Sequence, residues 1–363
     1  AEKNIRPIAS KLDQEKRWPK ENIPKMAELG LLGLNTSPEL GGAGADMVSY
    51  AIAIEELSRV CASHGVIASV NNSLYLWPIT TFGTDAQKQK FALPYAQGHK
   101  LGAYGLSEPV AGSDPAGGQS VAVKKGDAYV LNGQKNFITN GGHADTVIVF
   151  CKTDPEQRHK GMSALLVEKG MPGFTWSEPE HKVGIRAAHS TQLYFDNVEV
   201  PKENLLGKEG DGFKIAMKTL DGGRIGIAAQ ALGIAQACLE ESVAYAKQRE
   251  QFGKPIGDFQ AIQFKLADMA MRVKASRMLT YHAAALKDAG KNYGPAAAAA
   301  KCYAGDTAMW AATGCVQIHG GNGYTTDYAA ERQFRDAKIT QIYEGTNEIQ
   351  RVVVGSAVLK GDW

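Results

Sequence analysis

The sequence lacks several features that would have directed its reading elsewhere. Its 363 residues hold five cysteines (Cys61, Cys151, Cys238, Cys302 and Cys315), an odd number with no Cys-x-x-Cys pair. That usage fits isolated thiols of a reducing compartment and excludes both a disulfide framework and a zinc site, so no metal is expected. No run of five like charges occurs, and 40 Lys plus Arg against 38 Asp plus Glu leave a net charge of +2. Nucleic acid and anionic membrane surfaces are therefore disfavoured as partners. The longest uncharged apolar stretch, Ile225 to Leu239, contains two glutamines and is too short for a bilayer span. No signal-type leader opens the chain; because it starts at Ala1 without Met, a removed targeting segment ahead of it stays open.

Glycine, by contrast, is plentiful: 40 residues, against a usual share of about 7%. The length implies two to three domains with a sizeable core. Residues 1–98 read as helices, with Met47, Ala51, Ile54, Leu57 and Cys61 at helical spacing and a capping box starting at Thr84. The GGAG run from Gly41 follows no strand pattern and reads as a plain connection rather than a phosphate cradle. Over 99–208 the period changes to two and β-branched and aromatic residues dominate, which predicts an antiparallel β block with a hairpin at Asn132-Gly133. Residues 209–363 return to long helical segments, 212–249, 258–289, 296–318 and 346–360, a pattern that predicts a bundle.

Several segments carry chemistry. Tyr104-Gly-Leu-Ser-Glu-Pro-Val-Ala-Gly-Ser-Asp114 offers small side chains, backbone donors and hydroxyls that suit the edge of a planar ring or a phosphate; alone, it reads equally as a polar turn. Phe137-Ile-Thr-Asn-Gly-Gly142 sets an aromatic beside a hydroxyl, although such a Phe is more often core. These two segments, Arg249-x-x-Phe-Gly-x-Pro-Ile, Gln317-Ile-His-Gly-Gly-Asn-Gly-Tyr and Ile342-Tyr-Glu-Gly-Thr-Asn-Glu-Ile-Gln-Arg together resemble the acyl-CoA dehydrogenase family over essentially the whole chain. Val70-Asn-Asn-Ser-Leu-Tyr-Leu and Thr219-Leu-Asp-Gly-Gly-Arg-Ile-Gly-Ile-Ala are most similar to its short-chain members.

The resemblance implies an α+β multidomain fold: an N-terminal helical domain (1–98), a middle antiparallel β-barrel (99–208) and a C-terminal four-helix bundle (209–363), assembled into a homotetramer. It implies FAD as cofactor, an acyl-CoA substrate and an electron-transferring flavoprotein as electron acceptor. The expected location is the cytoplasm for a prokaryotic source and the mitochondrial matrix for a eukaryotic one with its targeting peptide removed. Glu344 is the expected catalytic base, since removing a weakly acidic α-proton needs a desolvated carboxylate. Some relatives place the base at the position of Gly223, which cannot serve. The thioester oxygen is expected at the Glu344 backbone N–H and a flavin ribityl hydroxyl.

By resemblance, Tyr104, Leu106, Ser107, Gly112, Ser113, Phe137, Ile138 and Thr139 take the isoalloxazine side of the flavin. Arg249, Phe252 and Gln260 take its adenosine and pyrophosphate part across a subunit boundary, and Gln317, Ile318, His319, Gly320, Gly321, Thr346, Asn347 and Glu348 complete the set. Ser113, Asp221, Arg224, Tyr343 and Gly345 are the expected substrate-binding positions. Three departures stand out: Phe137 where Trp is usual, Trp77 where close relatives have Gly, and His319 where several have an apolar residue. His319 reads as a satisfied helix-end histidine, while Trp77 either shortens the acyl pocket or lies on the surface. The activity implied is oxidation of a short acyl-CoA to its trans-2-enoyl product. The alternatives are a dehydrogenase for branched, cyclic or aryl-substituted acyl groups, an acyl-CoA oxidase, and a non-catalytic scaffold.

Overall fold

In the computed structural model, which describes all 363 residues, the first stretch of chain winds into α1 (Arg6–Gln14), α2 (Ile23–Glu28), α3 (Met47–Val60), α4 (Ala62–Ser69), α5 (Trp77–Phe82), α6 (Asp85–Phe91) and α7 (Leu93–Ala96). The capping box at Thr84 forms as the sequence predicts: Thr84 Oγ1 accepts from the Gln87 N–H at 3.2 Å and Gln87 Oε1 from the Thr84 N–H at 3.0 Å. Between α4 and α5, Val70–Leu76 is π-helical and wholly buried. Two asparagines stabilise this wider turn. Asn71 Nδ2 donates to Leu32 O and its Oδ1 accepts from the Gly102 N–H, while Asn72 bridges Leu31 O and the Leu34 N–H. Such turns recur at functional sites, and this one faces the cleft described below.

The middle segment supplies β1 (Gly102–Gly105), β2 (Val121–Lys125), β3 (Ala128–Thr139), β4 (Thr146–Lys152), β5 (Met162–Glu168), β6 (Phe174–Trp176), β7 (Ser190–Pro201) and β8 (Leu205–Leu206). They form one sheet in the order β6-β7-β3-β2-β4-β5-β8, with β1 beside β4. The block is not wholly antiparallel, because β1 pairs with β4 in parallel and β2 touches β4 in parallel at Val121 and Lys152. A parallel pair needs a long connection, and the 106–120 loop together with β2 and β3 provides one. The hairpin expected at Asn132-Gly133 is not there. That dipeptide lies inside β3 at a register shift, and the β2–β3 turn falls at Gly126-Asp127. Gly133 is needed for a different reason: a Cβ there would stand 2.4 Å from Ser120 Oγ.

After the sheet come α8 (Gly212–Gln248), the short strands β9 (Glu250–Gln251) and β10 (Lys254–Pro255), α9 (Gln260–Asp288), α10 (Gly294–His319), α11 (Ala329–Ile339) and α12 (Asn347–Lys360). Four of these helices match the predicted segments, and α11 was not foreseen. Helix α8 is buried on most sides, as expected of a helix apolar all round. It runs parallel to α10: Asp221 and Gly294 lie together at one end, Tyr245 and His319 at the other. One core of 61 buried residues joins the helical parts and a second of 16 fills the sheet. No helix is long and apolar enough to cross a membrane.

Candidate active site

Glu344 lies in the turn between α11 and α12, and its backbone is left-handed (φ +51°), as is that of Gly345 (φ +86°). A non-glycine residue rarely holds this conformation, and the surroundings must enforce it. Gln350 Nε2 donates to both carbonyls of the turn, Glu344 O at 3.1 Å and Gly345 O at 2.9 Å. Lys301, buried on α10, donates to Gly345 O at 2.7 Å and to Asn347 Oδ1 at 3.0 Å. Thr346 then caps α12 by accepting from the Ile349 N–H. The turn is thus fixed from both sides, and the direction of the Glu344 side chain with it.

The carboxylate points inward. Its Oε2 is buried without a hydrogen-bond partner, and burial pushes Glu344 up from 4.5 to about 7, against the opposing pull of Lys301 and Arg224. Room for it comes from α8: a Cβ on Gly223 would stand 2.1 Å from Glu344 Oε2 and 2.9 Å from Leu74 Cδ2. A side chain at 223, the alternative base position the resemblance implies, and the Glu344 carboxylate therefore exclude one another here, and glycine at 223 is what admits Glu344.

Glu344 opens into a cleft of about 190 Å³ between sheet, bundle and N-terminal helices. Val66, Val70 and Leu74 form one wall, Met217, Leu220 and Arg224 of α8 another. The third wall is built from the 104–113 loop and the end of β3: Tyr104, Leu106, Ser107, Gly112 and Ser113, then Phe137, Ile138 and Thr139. A register shift between Lys135 and Ile138 turns Phe137 out of the sheet with φ +59°, leaving it 66% exposed on the cleft side. An aromatic ring held outward by strained backbone, with Ser and Thr hydroxyls beside it, fits the face and edge of a planar heteroaromatic group. Underneath, Lys135 and Glu108 form a buried ion pair at 2.5 Å, and Glu108 also accepts from the Ser120 N–H at 3.1 Å. The pair ties the loop to the sheet.

Of the expected substrate residues, Ser113, Arg224, Tyr343 and Gly345 line the cleft. Asp221 does not; it pairs with Arg224 at 2.6 Å. Arg224 Nε is buried and unpartnered, a free donor at the cleft wall. The Tyr343 hydroxyl donates to Gln230 Oε1. Thr346, Asn347 and Glu348 border a smaller polar hollow next to Asp306 and Arg351. Asn347 is itself committed to Cys302 O and Asp306.

The rest of the expected cofactor set is elsewhere. Arg249, Phe252 and Gln260 are exposed at the far end of α8 and the start of α9; from Arg224 to Arg249 the helix advances roughly 38 Å. Gln317, Gly320 and Gly321 are exposed at the same end, where α10 stops. Ile318 is buried there, and His319 Nδ1 donates to Cys315 O at 2.8 Å while its ring stacks on Tyr245. His319 is thus the satisfied helix-end residue the sequence suggested. Sequence reasoning missed Lys301, Gln350 and the Glu108–Lys135 pair. Lys301 had one visible sign, a lone charge after the alanine run Ala296–Ala300. No group of three or more His, Cys, Asp or Glu side chains is placed to hold a metal ion.

A desolvated carboxylate facing an aromatic and hydroxyl platform across an apolar cleft is the layout of an enzyme that takes a weakly acidic proton from a substrate lying over a planar acceptor. The chain matches the family models for the acyl-CoA dehydrogenase N-terminal domain over residues 1–99, the middle domain over 103–198 and the C-terminal domain over 210–359. It belongs to the acyl-CoA dehydrogenase family, which is FAD-dependent. It is 52% identical over 360 residues to the short-chain specific acyl-CoA dehydrogenase of Clostridium acetobutylicum, covering 99% of this chain and 95% of that protein. The structure of butyryl-CoA dehydrogenase from Megasphaera elsdenii superposes with a TM-score of 0.97 at 50% identity, over 99% of this chain and 94% of that one. A chain in a structure described as the electron transferring flavoprotein of Acidaminococcus fermentans gives a TM-score of 0.98 at 54% identity, with 99% and 94% coverage.

Proposed function

We infer that the protein oxidises short straight-chain acyl-CoA thioesters, of which butyryl-CoA is the type, to trans-2-enoyl-CoA, and passes the electrons to an electron-transferring flavoprotein. The observation that carries this reading is the unpartnered, buried Glu344 carboxylate opposite the Phe137 and Thr139 ledge. Bound FAD supplies the acceptor for the β-hydrogen, which leaves as hydride. Phe137, Thr139, Ser107 and the 104–113 loop would hold the flavin ring on their side of the cleft. Glu344 takes the α-proton from the other side, its carboxylate becoming the neutral acid. With the Gly223 side open, the carboxylate lies deep in the cleft, where exclusion of water keeps it basic near neutral pH. The Glu344 N–H is the donor for the thioester oxygen and Arg224 the local cation for the CoA ester. Likeness to the short-chain enzymes and to the flavoprotein-associated chain supports the substrate and acceptor.

The functional unit in this reading is a homotetramer of three-domain subunits, divided at 98 and 208. Arg249, Phe252, Gln260 and Gln317–Gly321 then serve the adenosine and pyrophosphate part of a partner copy's FAD, a role that their distance from the cleft supports. Anaerobic bleaching of the flavin by a series of acyl-CoA esters tests the assignment. Butyryl-CoA should bleach fastest; an optimum at long chains would overturn it.

A further inference from the structure

Of the ion pairs in the chain, Lys135–Glu108 alone has both side chains almost wholly buried, 1% and 4% exposed. Taking each charge out of water is costly, whereas two neutral side chains could tie a loop to a sheet. Burial pulls the Lys135 ammonium down, and Glu108 is the chief counterweight that keeps it charged. A tether does not need this pair's charges.

The pair is oriented. Glu108 Oε2 accepts from the Gln119 N–H at 2.5 Å and Oε1 from the Ser120 N–H at 3.1 Å, so the negative end is shared with backbone that does not line the cleft. The Lys135 ammonium has its second partner in the cleft wall itself, donating to Leu106 O at 3.3 Å. The bulge in β3 makes this possible. Lys135 is the last residue in register before the shift that turns Phe137 outward, and the next N–H, that of Asn136, donates to Ser107 O at 2.8 Å.

Leu106 O and the Ser107 N–H belong to one peptide group. Its oxygen accepts from the ammonium, while its N–H makes no hydrogen bond within the chain and sits in a residue that lines the cleft. Hydrogen bonds in sequence polarise one another, so this N–H is a strengthened donor. A positive charge and a strengthened donor behind the same wall both favour a ligand that gains negative charge.

We propose that Lys135 is a positioning residue that tunes the flavin: through the Leu106–Ser107 peptide and through space, its ammonium favours the reduced ring over the oxidised one. Two electrons and one proton taken up from the acyl-CoA leave the ring with one more negative charge, and charge placed near it is a principal means by which a protein sets its electron affinity. The proposal rests on the placement of the flavin against the 104–113 loop proposed above.

The test compares FAD-loaded wild type, Lys135→Met, Lys135→Met/Glu108→Gln and Phe137→Leu by flavin midpoint potential, affinity for oxidised FAD and visible spectrum. The double variant leaves no uncompensated buried charge, so it folds where the single one fails to. In both Lys135 variants the reduced form should lose at least about threefold against the oxidised form, which is about 14 mV for a two-electron couple. The single variant, which keeps Glu108, should lose the more. Loss of a tether weakens both forms of the cofactor alike, so an unchanged or raised potential in the double variant overturns the tuning role whatever happens to affinity. Phe137→Leu should alter the flavin spectrum. An altered spectrum there with unchanged potentials in the Lys135 variants overturns the tuning alone and leaves the flavin placement standing. If Phe137→Leu keeps the spectrum and affinity of wild type, the flavin does not lie on this loop, and the placement and the tuning fall together.

Discussion

Glu344 Oε2 occupies the space that a side chain at Gly223 would fill, 2.1 Å from where its Cβ would be. One methyl group on α8 is therefore enough to expel the catalytic carboxylate, although α8 and the Glu344 turn are far apart in sequence. The contact is between the tip of a side chain and a helix backbone buried on both sides, so the carboxylate is the part that gives way.

Gly223→Ala should consequently lose about 100-fold in kcat, the cost of misplacing a catalytic group by about an ångström. Flavin content and fold should be nearly unchanged, because Ala favours the helix over Gly by about 1 kcal/mol. Rapid-reaction bleaching by butyryl-CoA measures the loss. Full activity in Gly223→Ala would mean that Glu344 acts from another orientation.

The titration of Glu344 links activity to stability. With the folded value raised from 4.5 to about 7, kcat/KM should fall about tenfold per pH unit below that point. For stability the sign is opposite. Between pH 4.5 and 7 the folded chain keeps a proton that the unfolded chain has released, so this contribution is complete below pH 4.5 and lost as pH rises through about 7. Glu344→Gln should therefore be inactive yet more stable than wild type at pH 8, by about 3 kcal/mol at most, and equal to it at pH 4. Thermal melts at the two pH values check this.

Lys301 has two effects that can be separated. Lys301→Met removes a donor from Gly345 O and a positive charge that favours ionised Glu344. It should cost about 1–3 kcal/mol and move the acid limb of the pH–rate profile to higher pH. Gln350→Ala removes donors from the same turn without removing charge. It should lower the melting temperature and leave the limb in place. If both variants shift the limb alike, the charge of Lys301 is not what tunes the base.

Much of this site was legible because its parts are local in sequence. Tyr104–Ser113, Phe137–Thr139 and Tyr343–Gly345 are short runs, each belonging to one loop or strand end, and the structure places all three around one cleft. Lys301 was not legible as a partner of Gly345, since the hydrogen bond spans 44 residues and depends on how α10 packs on the turn. Asn132-Gly133 misled because positive φ serves a bulge as well as a hairpin: Gly133 has φ +145°. The strand pattern, in turn, could not show that β1 runs parallel to β4, because pairing partners are chosen by topology rather than by alternation.

The exposed apolar residues of α9 bear on the cofactor role proposed for the remote Arg249 and Gln317 ends. Phe264, Met271 and Met278 recur at intervals of seven on one side of the helix and are 65%, 63% and 61% exposed, with Phe252 at 94% just before them. Stripes of this kind mark interaction surfaces, and in the tetramer proposed above a second copy would cover it, with that copy's Arg249 and Gln317 ends set against its neighbour. Phe264→Asp/Met271→Asp should therefore lower the mass seen by light scattering and, in the same samples, the flavin content. Arg249→Ala should lower flavin content at unchanged mass, because a planar guanidinium that pairs with pyrophosphate contributes about 1.5–3 kcal/mol to holding it. A dissociated variant that keeps one FAD per chain would show that the Arg249 end takes no part in binding the cofactor, and that one chain holds it alone.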